Sequence, residues 1–384
     1  MRNDIDFAHV AQTRNQEATG RAIDTLPVNS PVRNAIAIQV DEAEARAAFD
    51  ALSGEIHASL KSALIEDSHF VRDAVNDRLR SAFGAATGTD MQLLGYGPDG
   101  TQQPVAADGI GPVAWGQAFG SWGSFDSDGN AAALDSSTGG FLTGIDVEVA
   151  SNVRLGLLAG YSHSSFHVDD RSSTGASDNY HLGLYGGGMW DALRLSGGLA
   201  YTWHDIETNR SAAFPGFDEQ LEASYDAGTF QAFGEAGYRI DTGGGFAFEP
   251  FANLAYVSLD SDGFAETGGE AALVVDGGTT DTTFTTLGLR AATSFDLNGA
   301  NVTAKGMLGW RHAFGDVTPL VTQAFAGSDA FTVAGVPIAE DAAVIVAGLD
   351  FDLTKAATLG IAYQGQFGDG ATQNGFNARL IMAF

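Results

Sequence analysis

Asn374-Gly375-Phe376-Asn377-Ala378-Arg379-Leu380-Ile381-Met382-Ala383-Phe384 is the last stretch of the chain. Positions 376, 378, 380, 382 and 384 are all apolar. Apart from Ile381 and Ala383, the positions between them are polar or Gly. Period two with one apolar face describes a strand. A soluble protein rarely ends by exposing Phe, Leu, Met and Phe at that period. A barrel whose outer face is lipid can. The other reading is a last strand packed on a soluble core, and the preceding residues must decide.

Working back from this stretch, period two holds almost everywhere to Val113. Twelve strand candidates cover 113–123, 139–149, 153–163, 178–190, 193–204, 227–240, 246–258, 283–297, 301–314, 342–353, 356–367 and 374–384. Most run ten residues or more, whereas strands of soluble sheets centre on about five or six. Membrane strands need about nine to eleven. Leu193, Leu195, Leu199, Tyr201 and Trp203 oppose Arg194, Ser196, Gly198 and His204; Phe141, Ile145, Val147 and Val149 oppose Gly144, Asp146 and Glu148. Alternation alone also fits a soluble sandwich.

The connections discriminate better. Short ones (150–152, 191–192, 241–245, 298–300, 354–355) alternate with long ones near 124–138, 164–177, 205–226, 259–282 and 315–341, then a shorter 368–373. Tight turns on one rim and long loops on the other mark an up-and-down outer-membrane barrel. All five Trp lie in the predicted strands, several near an end, as an interfacial girdle requires. Trp115 and Trp122 have opposite parity, so the first strand is ambiguous. The inner face then carries Arg154, Arg194, Glu235, Arg239, Glu249, Arg290, Lys305, Arg311, Asp350 and Arg379. These either pair with charges on a threaded helix or pair with one another around a wet lumen.

The 384 residues hold 48 acids and 19 bases, for a net charge of −29. This balance argues against nucleic acid as a partner, since phosphate binding needs Lys and Arg. There is no Cys, which removes disulfides, thiolate catalysis and Cys-ligated zinc. No apolar run is long enough for a transmembrane helix. The start, Met1-Arg2-Asn3-Asp4-Ile5-Asp6-Phe7, has no signal-peptide core. Either the envelope reading fails, or the chain is the tail of a longer precursor.

Residues 1–40 offer no firm element, with Pro27 and Pro31 as breakers. From Asp41 the pattern turns helical: Asp41 and Glu44 make a capping box, and Ser53-Gly54 a stop. A second helix is expected over 55–80. Ile56, Leu60, Leu64, Val71, Val75 and Leu79 form its apolar stripe, and Lys61, Glu66, Arg72, Asp73, Asp77 and Arg78 lie on its other faces. Roughly 39 Å long, it could cross a hydrocarbon layer of about 30 Å, yet it is too charged to face lipid. It is either an amphipathic surface helix or a helix threaded through a polar pore. His57 and His69 lack ligand spacing and read as surface side chains. Residues 84–112 read as a flexible connector.

With these residues in hand, the chain resembles the C-terminal translocator unit of a monomeric, pertactin-like autotransporter of type V secretion. The matching stretches are Gly54-Glu55-Ile56-His57-Ala58-Ser59, Phe70-Val71-Arg72-Asp73, Asp77-Arg78-Leu79, Ser137-Thr138-Gly139-Gly140-Phe141, Ser177-Asp178-Asn179-Tyr180-His181, Thr202-Trp203-His204-Asp205, Phe248-Glu249-Pro250-Phe251, Gly309-Trp310-Arg311-His312 and Phe384. The resemblance implies an all-β, 12-stranded antiparallel transmembrane barrel over 113–384, with a helical linker and pore plug within 54–112. Residues 1–53 would be the C-terminal remnant of the passenger stalk. The pore helix would be carried by Ile56, Leu60, Leu64, Val71, Arg72, Val75, Arg78 and Leu79. Phe376, Leu380, Met382 and Phe384 would form the signal read by the barrel-assembly machinery. The implied partners are outer-membrane lipid and lipopolysaccharide, that machinery, periplasmic chaperones and the chain's own passenger. The implied location is the outer membrane of a Gram-negative bacterium, with the N-terminal part at the cell surface. The Asn-Asn cleavage pair of some relatives has no counterpart, so self-cleavage is not carried over.

Two other functions compete: a plain outer-membrane porin or ion-binding channel, and a soluble all-β enzyme or binding module. The acid pairs Asp169-Asp170 and Asp205 with Glu207 fall in acidic loops, and the isolated His residues lack a fixed ligand spacing. Neither a nucleophile elbow nor a phosphate loop sits at a strand-to-helix turn. The expectation is a chain with no catalytic residue, metal or cofactor.

Overall fold

The computed structural model describes residues 6–83, 93–96, 102–105, 111–243, 245–298, 300–354 and 356–383. Twelve strands close into one antiparallel barrel. They are β1 (Val113–Phe125), β2 (Leu134–Ala150), β3 (Val153–Val168), β4 (Ser173–Trp190), β5 (Leu193–Phe214), β6 (Phe217–Tyr238), β7 (Phe246–Ser261), β8 (Gly278–Leu297), β9 (Ala300–Gly315), β10 (Asp341–Thr354), β11 (Ala357–Gly368) and β12 (Ala371–Ala383). Each pairs with the next, and β12 returns to β1 with Leu380 opposite Gly116 and Phe376 opposite Gly120. The terminal stretch is thus the strand that closes the barrel. Phe384 itself lies outside the described residues.

Period two sorts the side chains as the sequence requires. Phe376, Leu380 and Met382 face outward, Phe376 at 58% exposure, while Arg379 between them is buried. Four Trp (122, 190, 203 and 310) also face outward. Trp115 faces in at 2% exposure, which resolves the parity of β1. On β5 the outward apolar run ends at Trp203 and gives way to exposed Asp205, Glu207 and Asn209. From Leu193 to Trp203 is about 33 Å of strand; tilted by about 40°, it covers roughly 25 Å of height, the usual lipid-facing band.

Here the strand ends depart from expectation. The segments read as long loops at 164–177 and 205–226 are mostly strand, joined by tight turns at 169–172 and at Pro215-Gly216. These segments resemble loops in sequence because the outer face turns polar above the band. The inner face does not: Ile206, Thr208, Arg210 and Ala212 stay buried in register. An apolar outer face marks the membrane's edge, not the strand's end.

Above this rim, residues 7–52 are helical, although nothing firm was legible before Asp41. α1 (Arg14–Thr25), α2 (Pro31–Ala37) and α3 (Glu42–Leu52) follow a short 3-10 turn. Thr13, Ser30 and Asp41 cap their N-termini, each side chain accepting from the backbone N–H three residues on. Gly54, at φ +62°, ends this unit where the expected stop stood. The helices pack on a four-stranded sheet from two loops (Phe264–Ala265, Leu273–Val275, Leu320–Phe325 and Phe331–Ala334). Ile23, Phe49, Leu52, Leu273, Phe325 and Val333 build a core separate from the lumen. Asn15 joins the two layers: its Oδ1 accepts from Ala334 N (2.9 Å) and its Nδ2 donates to Ala334 O (2.8 Å). The result is a cap over the long-loop mouth.

The cap carries a pH dependence. Burial, and then a hydrogen bond shared with Asp6, raise the Asp24 carboxyl to about 6, while Asp6 falls below its usual value. A carboxyl raised above its unfolded value of about 3.9 stabilises the fold below that pH. That contribution is lost as pH climbs from about 4 through about 6. Protection factors for hydrogen exchange over residues 7–26, corrected for the intrinsic pH dependence of the exchange rate, should therefore be higher at pH 4.5 than at pH 7.5. Asp24→Asn should remove most of the difference; an undiminished one would place the dependence elsewhere.

Candidate functional site: the occupied lumen

The helix expected over 55–80 is two helices end to end, α4 (Ile56–Asp67) and α5 (His69–Ala82). At 1.5 Å per residue they span roughly 40 Å. The break falls at Ser68, whose hydroxyl donates to Ile65 O at 2.6 Å and competes with the helical ladder. No described helix is long and apolar enough to cross a membrane by itself. These two stand inside the barrel. Ile56, Leu60, Leu64, Val71, Val75 and Leu79 are buried, and so are Arg72 and Arg78 on the other faces. In fact every side chain from Ile56 to Glu66 is buried. A surface helix would bury one stripe only.

That enclosure overturns the surface reading of two histidines. His57 is 2% exposed and meets Glu266 at 2.8 Å. His69 is bonded to Asp73 (2.9 Å) and to Gln373 of β12 (2.8 Å).

The contacts fall in three tiers. At the upper tier, Arg210 of β5 holds Glu266 through two bonds of 2.7 Å and reaches Ala51 O and Ala271 O. Burial raises the Glu266 pKa, but Arg210 and His57 outweigh it and leave it well below the usual carboxylate range. Beside it, Arg171 meets Glu55 at 2.9 Å; burial nonetheless keeps the Glu55 carboxyl above its ordinary value. Barrel wall, loop, cap and helix meet here.

At the middle tier, Glu66 pairs with Arg311 of β9, one bond at 2.8 Å. Asp67 accepts from Thr138 (2.5 Å), Ser164 (3.2 Å) and Gln373 (3.1 Å), so three strands hold one carboxylate. Arg72 and Arg311 both lie over the Phe284 ring, at 5.3 and 4.9 Å.

At the lower tier, Arg78 donates to both Asp146 oxygens, at 2.7 and 2.9 Å. The same carboxylate accepts from Arg154 (2.5 Å) and from Tyr185 Oη (2.9 Å), which in turn accepts from Trp115 Nε1 (2.7 Å). Asn76 accepts from Ser196 at 3.0 Å. Asp77 pairs with Arg80 and lies 3.6 Å from Arg379.

A further group belongs to the wall alone. Arg194 reaches Glu249 (2.6 Å) and Glu235 (2.8 Å), and Arg290 reaches Glu235 (2.7 Å) and Glu249 (3.0 Å). Lys305 likewise meets Asp350 at 2.8 Å. Both alternatives left open by the sequence are therefore realised, in different parts of one lumen. Among the expected lumen residues, Glu235, Glu249, Arg290, Arg311 and Arg379 are buried inside. Arg239 sits one residue past β6, at the short-turn rim, beside Asp241 at 3.0 Å. Asp146 had been placed on the inner face without being singled out; its role needed the position of Arg78.

A barrel of twelve strands thus holds the chain's own N-terminal helical segment in its lumen. The family model of the autotransporter β-domain matches residues 114–364. The chain belongs to the autotransporter family. An extracellular serine protease of Serratia marcescens is 35% identical over 425 aligned positions, which take in 100% of this chain and 39% of that protein. A second of the same name and source is 33% identical over the same shares. The chain thus spans under half the length of these relatives. Among solved structures, the translocator domain of the autotransporter NalP from Neisseria meningitidis superposes with a TM-score of 0.61 at 16% identity, covering 84% of this chain and 98% of that one. The transport unit of AIDA-I from Escherichia coli gives 0.56 at 14%, covering 81% and 98%. These two speak for the fold.

As an autotransporter β-domain, this chain is an outer-membrane translocator of a Gram-negative bacterium that exports its N-terminal passenger to the cell surface. The long-loop rim and cap therefore face outside, and the short turns face the periplasm. The barrel itself is a transporter rather than a catalyst.

Proposed function

We propose that the passenger exported by this barrel is an extracellular serine protease. The observation that carries this reading is the identity of 35% across the whole chain with a protein of that name. In this reading residues 1–53 are the end of the passenger, 54–112 the linker and pore plug, and 113–384 the autotransporter barrel. The catalytic residues then belong to the passenger. Cells expressing the natural gene should hydrolyse casein externally, and a serine-directed reagent should abolish it. External activity insensitive to that reagent would sink the protease assignment.

For assembly, we infer that periplasmic chaperones deliver the chain and that the barrel-assembly machinery reads Phe376, Leu380, Met382 and Phe384. Outer-membrane lipid and lipopolysaccharide then surround the apolar band. The outward Phe376, Leu380 and Met382 on the closing strand support this reading. Removing Phe384 should lower the heat-modifiable, folded fraction in the outer membrane several-fold. A normal folded fraction would remove the terminal residue from the signal.

A further inference from the structure

The outward face of β1 is bare. Within the lipid-facing band it carries Ala114, Gly116, Ala118 and Gly120. Its neighbour β12 presents Phe376, Leu380 and Met382 there, and its other neighbour β2 presents Phe141 and Ile145. A furrow one strand wide therefore runs beside the closing seam. Towards its long-loop end it opens into a trough of about 520 Å³, a size at which pockets hold ligands (roughly 300–1,000 Å³). The floor is Gly120 and Gly139, directly opposed on β1 and β2. Trp122 and Phe376, with ring centroids 6.0 Å apart, stand along one side. Ser137, Ser165 and His163 make the other side polar.

This floor lacks a roof that other parts of the lipid face possess. Outward glycines elsewhere lie under a neighbour: Gly186 under Leu155, Gly188 under Trp190, Gly228 under Tyr201, Gly365 under Tyr363 and Phe367. A Cβ added at any of them would collide with that side chain. At Gly120 it would meet nothing within 4 Å, and at Gly139 only Phe119 O at 3.8 Å. Two adjacent stretches of backbone thus face the membrane with no side chain of their own barrel over them.

Charge marks the same place. Every Lys and Arg within β1–β12 turns to the lumen. Just above the aromatic row of Phe141, Tyr161, Tyr180 and Trp203, the outward wall carries Asp178, Asp205 and Asp226 side by side on β4, β5 and β6. In that same row β1 and β2 supply only Gly120 and Gly139, and β3 supplies His163. His163 Nδ1 is 2.9 Å from the Asp178 carboxylate. An anionic headgroup meets the least repulsion where the row has no carboxylate.

We propose that the trough binds one lipopolysaccharide molecule. An acyl chain covers Gly120 and Gly139 and runs down the β1 furrow, while the sugar hydroxyls meet Ser137, Ser165 and His163. Position sets the occupant: the trough continues the lipid-facing band and lies on the long-loop, outer side of Phe141, within reach of the outer leaflet. A lipid held there lies across β2, β1 and β12 and braces the closing seam from outside. This rests on the outer-membrane reading and adds a specific lipid at a specific place.

The test uses the full chain, assembled in the outer membrane behind a signal peptide, extracted in mild detergent and weighed by native mass spectrometry. The parent should keep a lipopolysaccharide adduct. Gly120→Leu with Gly139→Leu fills the floor, where a Cβ has room. It should lower the adduct ~10-fold or more, because the acyl chain loses its buried apolar contact. Gly234→Leu, on the lipid face of β6 across the barrel, should keep the parental adduct. Lipopolysaccharide added back to delipidated protein should raise the conversion temperature of the compact band for the parent and not for the filled pair. No adduct on the parent, a phospholipid adduct in its place, parental retention by the filled pair, or equal loss by Gly234→Leu would each overturn the proposal. If the filled pair gives no compact band, Ser165→Leu on β3, away from the seam, takes its place; it should lose the adduct, and parental retention would overturn the proposal. A parent with no compact, heat-modifiable band would instead strike the outer-membrane reading.

Discussion

Asp146→Ala should be the most damaging single substitution in the lumen. It strips one carboxylate from Arg78, Arg154 and Tyr185 at once and leaves two guanidiniums buried without their acid. Breaking a buried ion pair by removing one partner costs about 3–5 kcal/mol, because the remaining charge stays desolvated. The temperature at which the compact barrel band converts to the unfolded one should fall by many degrees. Arg78→Gln should cost less, since it leaves Asp146 with Arg154 and Tyr185. If the two variants melt alike, Arg154 does not depend on Asp146 and the hub is only a helix anchor.

The second large effect is on conduction. Deleting residues 56–82 removes a body about 10–12 Å across from the lumen. The wall clusters of Arg194, Glu235, Glu249 and Arg290, and of Lys305 and Asp350, keep their partners without it. The barrel should therefore still assemble, less stably, and planar-bilayer recordings should change from a nearly closed pore to a steady, wide one. Unchanged conductance would mean that the helices do not block the path.

What the sequence disclosed follows from what a membrane imposes. Lipid forces an apolar outer face at period two, so the strands and their alternation, 374–384 included, could be read directly; that 374–384 closes the barrel against β1 follows from its pairing. Charge on the faces beside its apolar stripe made the 55–80 helix too polar for lipid and left a surface and a pore position both open; the burial of Arg72 and Arg78 on those other faces decides for the pore. Three things were hidden. Strand continuation past Trp203 was masked, because the outer face becomes acidic while only Ile206, Thr208, Arg210 and Ala212 keep the inward pattern. The cap was masked because its core is assembled from α1–α3 and two distant loops, with Phe49 and Leu273 more than two hundred residues apart. His57 and His69 were misplaced because helical periodicity reports one neighbour, whereas a lumen surrounds the helix with several strands. Arg239 shows the limit of parity: it continues the inward register of β6 one step beyond the strand.

The tall β5–β6 hairpin has a consequence for what happens outside the cell. From Trp203 to Phe214 it rises by about 36 Å of strand, or roughly 28 Å of height at a 40° tilt. Its tip is tied to the residues just past α2, where Gln39 Nε2 donates to Pro215 O at 2.9 Å. The cap is therefore a pedestal. Whatever is joined to its N-terminal side starts from a platform standing clear of the headgroup layer, not from the bilayer surface. Stand-off is built into the wall of the barrel rather than left to a flexible tether.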